Sequence, residues 1–399
     1  MSDQDHAVVI IGGGSGGITT AARLRKAGVT DIALIEPADT HYYQPLWTLV
    51  GGGRAKIVDS GRPMASVIPK GVTWVRDSVV SVDPEASTVT TERGTVIRYG
   101  RLVVSTGIQL NWNGIPGMEE ALGSGGVSSN YSYELAPKTW DNVRRTTSGT
   151  AIFHMPPGPI KCAGAPQKIA YLACDYWREQ GVLENIRPIL VLPTPGMFGV
   201  KVWSDVLVDV AKRYGIEVRF NSAITQMNPV EQTVVIKNNE TGAEETVHYD
   251  FAHMTPPQSA PDWLRNSALA DPENPFGYMG VNKNTMQHNV YPNVFGLGDC
   301  TTTPNSKTGA AIRKQAPVLV ENLVASMKGS NGKGSYDGYA SCPITTSRSS
   351  LLLCEFDYDL NVKPSIPLIN TKKEIKDFNK LKQVGLPVLY WNLMLKGKA

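Results

Sequence analysis

Three glycines near the start of the chain constrain its fold more than any other feature of the sequence. Gly12, Gly14 and Gly17 have the spacing G-x-G-x-x-G, and they directly follow the apolar run Ala7 to Ile11. A helical pattern from Thr19 to Lys26 comes next. The first glycine permits a tight turn, the second lets the backbone approach a pyrophosphate, and the third lets helix and strand pack closely. The order of strand, glycines and helix predicts a dinucleotide-binding β-α-β unit.

An acidic residue completes this unit. The second strand is predicted at Asp31 to Ile35 and is followed by Glu36, whose carboxylate suits ribose hydroxyls. Ser15 lies at the start of the helix, where free N–H groups and the helix dipole stabilise phosphate charge. The spacing Gly13-x-Ser15-x-Gly17 also matches a hydrolase nucleophile elbow, but we attribute that match to glycine richness.

The β-α-β order repeats further along the chain. The pattern predicts strands and helices near Thr150 and beyond, at 151–153, 167–179, 188–192, 203–214 and 217–220. The run VFGLGD then forms a strand ending on Asp299, and a helix from about Gly309 returns the chain to the first unit. We therefore predict an α/β fold with two Rossmann-like dinucleotide-binding domains and a C-terminal region. The predicted boundaries are 1–113 with 256–330 for the first domain, 114–255 for the second and 331–399 for the last region.

The returning strand favours FAD over NAD as the cofactor of the first domain. An NAD domain needs no late strand ending in Gly-Asp, whereas Asp299 suits the ribityl chain or phosphate of a flavin; a simple turn aspartate is the alternative. A strand at Leu102 to Ser105 runs into Thr106 and Gly107, which we include among the FAD-binding candidates. Lys307 is expected either to stabilise negative charge on the reduced flavin ring or to be an exposed loop lysine.

The second domain lacks the features that hold a second dinucleotide. Its segment LPTPGMFGV contains only Gly196 and Gly199, without the three-glycine spacing. The following strand ends in Phe220 and Asn221 rather than in an acidic residue. The sequence therefore argues against NAD(P)H as the electron source.

Two of the five cysteines are candidates for redox chemistry. Cys162, in PIKCAGAP, lies before a helix start, where N–H groups, the helix dipole and Lys161 lower the pKa of a thiol. Cys342 is expected in a loop of the tail before a proline. A small core residue is the alternative for each. The other cysteines are expected to be core residues or, next to Asp299, to touch the cofactor: Cys174, Cys354 and Cys300. No Cys/His cluster predicts a metal site.

Composition argues against three classes of protein: nucleic-acid-binding, bilayer-spanning and secreted. A net charge of +3, spread along the chain, argues against nucleic acid as a partner. No run reaches the roughly 20 apolar residues that span a bilayer. An apolar strand begins after six polar residues, which leaves no room for an export signal, and an odd number of cysteines argues against a secreted disulfide scaffold.

The end of the chain suggests contact with a membrane surface. The run GLPVLYWNLMLKGKA is apolar and aromatic and ends in lysines. Tyr390 and Trp391 suit the headgroup level, with Lys396 and Lys398 toward anionic lipid; packing on the protein's own core is the alternative. We therefore expect a peripheral membrane protein on the cytoplasmic side.

Longer strings resemble a known family, the sulfide:quinone oxidoreductases of the type that includes the mitochondrial enzyme. The resemblance covers nearly the whole chain and is carried by EPADTHYYQPLWTLVGGG, IKCAGAPQKIAYL, YPNVFGLGDCTTTPNSKTGAA, YDGYASCPIT, CEFDYD and LYWNLMLKG. It implies that Glu36, Gln44 and Val79 join the glycines and Asp299 around FAD. It also implies that Cys162 and Cys342 are a redox pair facing the flavin.

The activity implied by this resemblance is sulfide oxidation. Sulfide would attack a Cys162–Cys342 disulfide or bridged trisulfide and leave a persulfide on Cys342. The sulfane sulfur would pass to a small thiol or sulfite, and two electrons would pass through FAD to ubiquinone or another membrane quinone. Alternatives left open are an NADH:quinone reductase on the same fold, a flavin and cysteine redox sensor without turnover, and a secreted flavoprotein that reduces a cytochrome. The sequence does not decide whether the protein forms a homo-oligomer.

Overall fold

The computed structural model describes residues 4–367, 369–376 and 380–399. The strands are β1 Gln4–Ile11, β2 Ile32–Ile35, β3 Thr40–Tyr42, β4 Gly61–Pro63, β5 Thr73–Val75, β6 Val79–Asp83, β7 Thr88–Thr91, β8 Val96–Val104, β9 Gln109–Leu110, β10 Val127–Ser128, β11 Gly149–His154, β12 Ile186–Val191, β13 Glu217–Arg219, β14 Ser222–Asn228, β15 Thr233–Asn238, β16 Glu244–His248, β17 Phe251–His253, β18 Gln258–Ser259, β19 Val294–Gly296, β20 Ala340–Thr345, β21 Ser350–Phe356 and β22 Ile375–Lys376. The α-helices are α1 Ser15–Lys26, α2 Trp47–Gly51, α3 Met64–Val67, α4 Met118–Ala121, α5 Leu135–Arg145, α6 Ala165–Glu179, α7 Lys201–Arg213, α8 Asp262–Arg265, α9 Gly309–Met327 and α10 Leu386–Leu389.

The first sheet is built around the N-terminal strand. Its order is β5-β2-β1-β8-β7-β6, and β19 pairs with the C-terminal half of β8. The strands β5, β2, β1, β8 and β19 run parallel, and their buried Val, Ile and Leu side chains suit a sheet that is covered on both faces. The predicted return of the chain to the first unit is therefore present, because β19 comes back about 190 residues after β8 and lies beside it.

A second parallel sheet has the order β10-β17-β11-β12-β13. Helix α6 connects β11 to β12, and α7 connects β12 to β13, so both crossovers are helical. Ile169, Trp177 and Trp203 from these helices are fully buried in its core. Two parallel sheets with helical crossovers confirm the predicted α/β class, whereas the exact domain boundaries stay predictions.

The C-terminal region begins with a small antiparallel sheet, β20-β21-β22, that packs on the core of the second sheet. Cys342 lies within β20 and is 2% exposed, so the predicted loop position is wrong. The run ASCPIT pairs with SLLLCEF, and Cys342 lies opposite Cys354. The pairing extends past Pro343, which lies opposite Leu353 and whose carbonyl oxygen accepts a hydrogen bond from Lys382.

The last segment, residues 380–399, is helical and packs against the first sheet. Two short π-helical segments, Leu381–Gly385 and Tyr390–Met394, flank α10. Tyr390 and Trp391 are each 4% exposed and belong to the same core as α1 and α9. Their predicted position at a lipid headgroup level is therefore wrong, and the alternative of packing on the protein's own core holds for these two side chains. Among the described residues, no helix has the length and apolarity needed to cross a bilayer.

Buried histidines make stability depend on pH. Burial lowers the pKa of His41 to about 4 and those of His154 and His253 to about 3. In the unfolded chain these imidazoles bind protons below about pH 6.5, whereas in the folded protein they remain neutral. The free energy of unfolding is expected to fall as pH decreases from 6.5 toward 4, by about 3 kcal/mol from His41 alone. Denaturant titrations across this interval measure the slope, which should be shallower in a His154→Gln variant; a flat profile would contradict the assignment.

Candidate functional site

The glycine-rich loop between β1 and α1 has the geometry of a dinucleotide site. Gly12 adopts a positive φ of 98°, and a Cβ there would lie 2.7 Å from the carbonyl oxygen of Ser105. A Cβ on Gly17 would lie 1.8 Å from the carbonyl oxygen of Gly12, so helix and strand approach too closely for any side chain. A Cβ on Gly14 would have no heavy atom of the described residues within 4 Å. The space in front of Gly14 and the start of α1 therefore stays open for a phosphate.

Glu36 lies at the end of β2, where the sequence predicts a ribose contact. Its Oε2 accepts a hydrogen bond of 2.7 Å from the Gly13 N–H, and its Oε1 accepts one of 2.8 Å from the Ala38 N–H. An ionised carboxylate has about four acceptor sites, so two remain for hydroxyl groups. The backbone bonds hold the carboxylate beside the glycine loop.

Two further candidates carry buried polar atoms without a protein partner. The Thr106 Oγ1 and Asp299 Oδ1 atoms are buried and have no hydrogen-bond partner among the described residues. Asp299 lies in the turn Gly298–Cys300, shortly after the end of β19. Thr106 lies shortly after the end of β8, and its Cα would be 3.0 Å from a Cβ on Gly12. Buried polar groups are almost always hydrogen-bonded, so these orphaned atoms, together with the open glycine loop, fit a bound FAD.

Gln44 and Val79, the two candidates taken from the resemblance, have different surroundings. The Gln44 Oε1 accepts a hydrogen bond of 2.5 Å from the Lys161 ammonium, which joins the first domain to the cysteine loop. Val79 begins β6 and is buried with Ile11 and Ile35. Gly107 has a positive φ of 70° and an open Cβ position. Contacts of these residues with FAD stay predictions.

The two candidate redox cysteines face each other. Their Sγ atoms lie 4.0 Å apart, although the residues are 180 positions apart in sequence. Cys162 has a positive φ of 52°, which is rare for a residue with a side chain and is characteristic of functional sites. A Cβ on Gly164 would lie 3.0 Å from the Cys342 Sγ, so a glycine there lets β20 approach the loop. The remaining cysteines, Cys174, Cys300 and Cys354, are fully buried.

The electrostatics distinguish the two thiols. The hydrogen bond from Cys342, together with the ammonium group of Lys168, holds the pKa of Cys162 well below its usual range, although burial acts in the opposite direction. The Lys168 Nζ donates to the Cys162 Sγ at 2.9 Å. The same hydrogen bond to Cys162, together with burial, raises the pKa of Cys342 well above its usual range. Both shifts favour ionisation of Cys162 before that of Cys342.

A second buried lysine reaches the pair from the C-terminal segment. The Lys382 Nζ donates to the Thr345 Oγ1 at 2.7 Å and to the Pro343 carbonyl oxygen at 3.3 Å. Burial, and then repulsion from Lys168, lowers the pKa of Lys382 to about 7. Cys162 and Lys382 are close enough for charge on either one to influence the other.

Lys307 is buried, which excludes the predicted alternative of an exposed loop lysine. Its ammonium donates to the carbonyl oxygens of Asp299 and Thr301 at 2.6 and 3.1 Å and lies 4.0 Å from the centroid of the Tyr278 ring. The Cys162 N–H also donates to the Lys307 carbonyl oxygen at 3.0 Å. Lys307 thus fixes the Asp299 turn to the cysteine loop, while a direct role toward the flavin stays a prediction.

A cavity of about 330 Å³ opens next to this loop. Its walls combine residues of the cysteine loop, Ile160 and Ala163, with the polar segment that follows the Asp299 turn, including Thr303, Asn305 and Lys307. The lining is mixed, with more apolar than polar surface, and its modest size suits a small molecule.

Sequence reasoning missed Lys168 and Lys382. Lys168 had a readable signal, because it interrupts an apolar helix one turn after its start, and helical side chains lean toward the N-terminus. That direction leads from α6 back to Cys162. Lys382 had none, because its position depends on how a segment forty residues after Cys342 folds back. Among the described residues, no group of three or more His, Cys, Asp or Glu side chains could hold a metal ion.

Comparisons with known proteins agree with this geometry. Residues 6–149 match the family described as pyridine nucleotide-disulphide oxidoreductase. The mitochondrial sulfide:quinone oxidoreductase of Dictyostelium discoideum is 42% identical over 98% of this chain and 86% of its own, and that of Mus musculus is 38% identical over 98% and 87%. The crystal structure of the Aquifex aeolicus sulfide:quinone oxidoreductase has the same fold, with a TM-score of 0.82, 22% identity and coverage of 99% of this chain and 92% of that one. The chain therefore belongs to the sulfide:quinone oxidoreductase family and is an FAD-dependent oxidoreductase.

Proposed function

We propose that this protein oxidises hydrogen sulfide at the Cys162–Cys342 pair and delivers the two electrons through FAD to a membrane quinone. The observation that carries the proposal is the pair itself: the sulfur atoms lie 4.0 Å apart, and that of Cys162 accepts a hydrogen bond from the buried Lys168 ammonium. A disulfide needs the Sγ atoms to approach to about 2.05 Å, which is a short movement for facing side chains.

The asymmetry of the pair selects the sulfur that sulfide attacks. In thiol–disulfide exchange, the thiol with the lower pKa leaves faster. Hydrosulfide therefore attacks the Cys342 sulfur of the disulfide. A new S–S bond forms on Cys342, the Cys162–Cys342 bond breaks, and Cys162 leaves as a thiolate next to the Lys168 ammonium. Cys342 then carries the persulfide.

The terminal sulfur of the persulfide passes to a small acceptor, a thiolate, sulfite or a second hydrosulfide ion, which attacks it and releases Cys342 as a thiolate. Both cysteines are then reduced. FAD, when bound, supplies a two-electron acceptor for this dithiol and a donor for the quinone. The cavity next to Ile160 and Ala163 supports access of sulfide and of a small acceptor to the cysteine loop.

The C-terminal segment supports contact with the membrane that contains the quinone. Although Tyr390 and Trp391 are buried, Val384, Val388 and Leu393 expose 60, 50 and 40% of their surface. Exposed apolar side chains next to the lysines of this segment suit an interfacial position in an anionic membrane. We propose that these three side chains, rather than the aromatic pair, contact lipid, on the cytoplasmic or matrix side of the membrane.

The second candidate is an NADH:quinone reductase on the same fold. The second domain argues against this function, because its described residues include no acidic residue at the end of β13 that is free to bind the ribose of NADH. The strand end at β13 carries Arg219, which is already paired with Glu217 and Glu245, where a nicotinamide site would present a free acidic residue. A thiolate pair would also have no part in hydride transfer from NADH.

An anaerobic reduction experiment separates the two functions. The purified yellow protein is mixed with sulfide or with NADH, the flavin absorbance is followed, and a soluble quinone is then added. We expect sulfide alone to bleach the flavin and quinone to restore the absorbance. Bleaching by NADH with no response to sulfide would reject sulfide oxidation, and bleaching that quinone does not reverse would favour a redox sensor without turnover.

A further inference from the structure

A closed set of hydrogen bonds joins the glycine-rich loop to the C-terminal segment. The Ser15 Oγ lies 2.7 Å from the Tyr390 hydroxyl oxygen, which lies 2.5 Å from the His41 Nε2. The His41 Nδ1 lies 2.9 Å from the Gly13 carbonyl oxygen. His41 and Tyr390 therefore connect the Gly13 carbonyl group to the Ser15 side chain, two residues further along the same loop. Both His41 and Tyr390 are buried.

The direction of each of these hydrogen bonds follows from chemistry. The Gly13 carbonyl can only accept, so the His41 Nδ1 carries a hydrogen. Burial lowers the pKa of His41 to about 4, so the ring is neutral and its Nε2 can only accept. The Tyr390 O–H must then donate to Nε2, and the Tyr390 oxygen must accept from Ser15. The only hydroxyl hydrogen of Ser15 is therefore used for Tyr390.

We propose that Ser15, His41 and Tyr390 form a lock that fixes the FAD-binding glycine loop to the C-terminal segment, with Ser15 acting as a positioning residue and not as a side-chain ligand of phosphate. The open space in front of Gly14 and the N–H groups at the start of α1 then provide the phosphate contacts from the backbone alone.

The same segment also holds the other end of α1. The Lys26 ammonium donates to the Gly397 carbonyl oxygen at 2.9 Å, and the Arg23 guanidinium donates to the Ala399 carbonyl oxygen. Residues 390–399 thus run along the whole of α1, whose first turn borders the open space in front of Gly14. They bury Met394 and Leu395 in the core that contains α1.

This arrangement couples the binding of FAD to the docking of the C-terminal segment. If the docked segment holds the loop in its FAD-binding form, FAD must in turn hold the segment in its docked form, because coupling free energies are reciprocal. The inference concerns cofactor binding and holds whichever substrate reduces the flavin.

A double-mutant cycle on FAD affinity tests the lock. Apoprotein is titrated with FAD, and the quenching of flavin fluorescence gives the Kd for wild type, Ser15→Ala, Tyr390→Phe and the double variant. Each single variant is expected to raise the Kd about tenfold, and the double variant no more than Tyr390→Phe alone, because the Ser15–Tyr390 hydrogen bond is already lost in that variant. Alanine suits the first position of a helix, and phenylalanine keeps the buried ring, so both variants should fold.

The matched control is Tyr336→Phe. Tyr336 is buried in the same core and donates its hydroxyl hydrogen to the Tyr339 carbonyl oxygen, away from the glycine loop, so its loss should leave the Kd unchanged. Amide hydrogen exchange of residues 390–399 should become faster in both lock variants and on removal of FAD from wild type. Multiplicative effects on Kd, about a hundredfold in the double variant, would make Ser15 a phosphate ligand and overturn the proposal. A wild-type Kd for Tyr390→Phe would overturn it as well.

Discussion

Replacing Cys162 with serine is expected to lower the rate of sulfide-dependent flavin reduction at least about a thousandfold. A serine hydroxyl can neither form the disulfide with Cys342 nor leave as a stable anion next to Lys168. Stopped-flow absorbance of the flavin after anaerobic mixing with sulfide measures the rate. Cys342→Ser is expected to have an equal effect, and the double variant no larger one, because the two thiols act as a unit.

The control for this substitution is Cys174→Ala, which removes a buried thiol from α6 without touching the pair. Its rate should match wild type. Reduction of FAD by dithionite should be the same in all variants, which shows that the cofactor is bound and competent. Full turnover with sulfide in Cys162→Ser would reject the mechanism, whereas loss of dithionite reduction would indicate loss of FAD instead.

Replacing Lys168 with methionine is expected to slow sulfide-dependent reduction about 10- to 100-fold near neutral pH, from the loss of a charge-assisted hydrogen bond worth about 1.5–3 kcal/mol. The ammonium lies 2.9 Å from the Cys162 sulfur and lowers the pKa of that thiol. Without it, Cys162 ionises at higher pH and becomes a poorer leaving group. The pH at which the rate reaches half its maximum should therefore move upward, and the thiolate absorbance should titrate with it.

Lys168→Arg tests whether charge or shape matters at this position. It keeps a cation next to the sulfur, so its pH profile should stay near that of wild type even if the maximal rate falls. The methionine side chain is close in volume and apolar, which suits the buried site. An unchanged pH profile in Lys168→Met would show that the lysine does not set the ionisation of Cys162.

The dinucleotide unit was predictable because its requirements are local. Gly12 and Gly17 are glycines because a backbone atom occupies the place of a Cβ, and such a requirement leaves a fixed spacing in the sequence. The position of Cys162 before a helix was predictable for the same reason. The approach of Cys342 was implied by the family resemblance and by no local pattern, because it depends on the pairing of β20 with β21 and on the absent side chain at Gly164.

The aromatic pair near the end of the chain shows where sequence reasoning fails. Tyr390 and Trp391 suit either a lipid interface or a protein core, because both environments stabilise an apolar ring with a polar edge. Their burial depends on partners that lie far away in sequence. The Tyr390 hydroxyl is hydrogen-bonded to Ser15 and His41. The Arg62 guanidinium lies 4.3 Å from the centroid of the Trp391 ring. No local pattern contains that information.

The return of β19 to β8 also determines when the protein can fold during its synthesis. A ribosome adds residues in order, so the first sheet lacks its β19 strand until Val294–Gly296 has emerged. The bond between Ser15 and Tyr390 then joins residues 375 positions apart. Contacts of such sequence separation form late and slowly. The end of β8, Leu102 to Val104, therefore keeps an unpaired apolar edge until about three quarters of the chain has been synthesised.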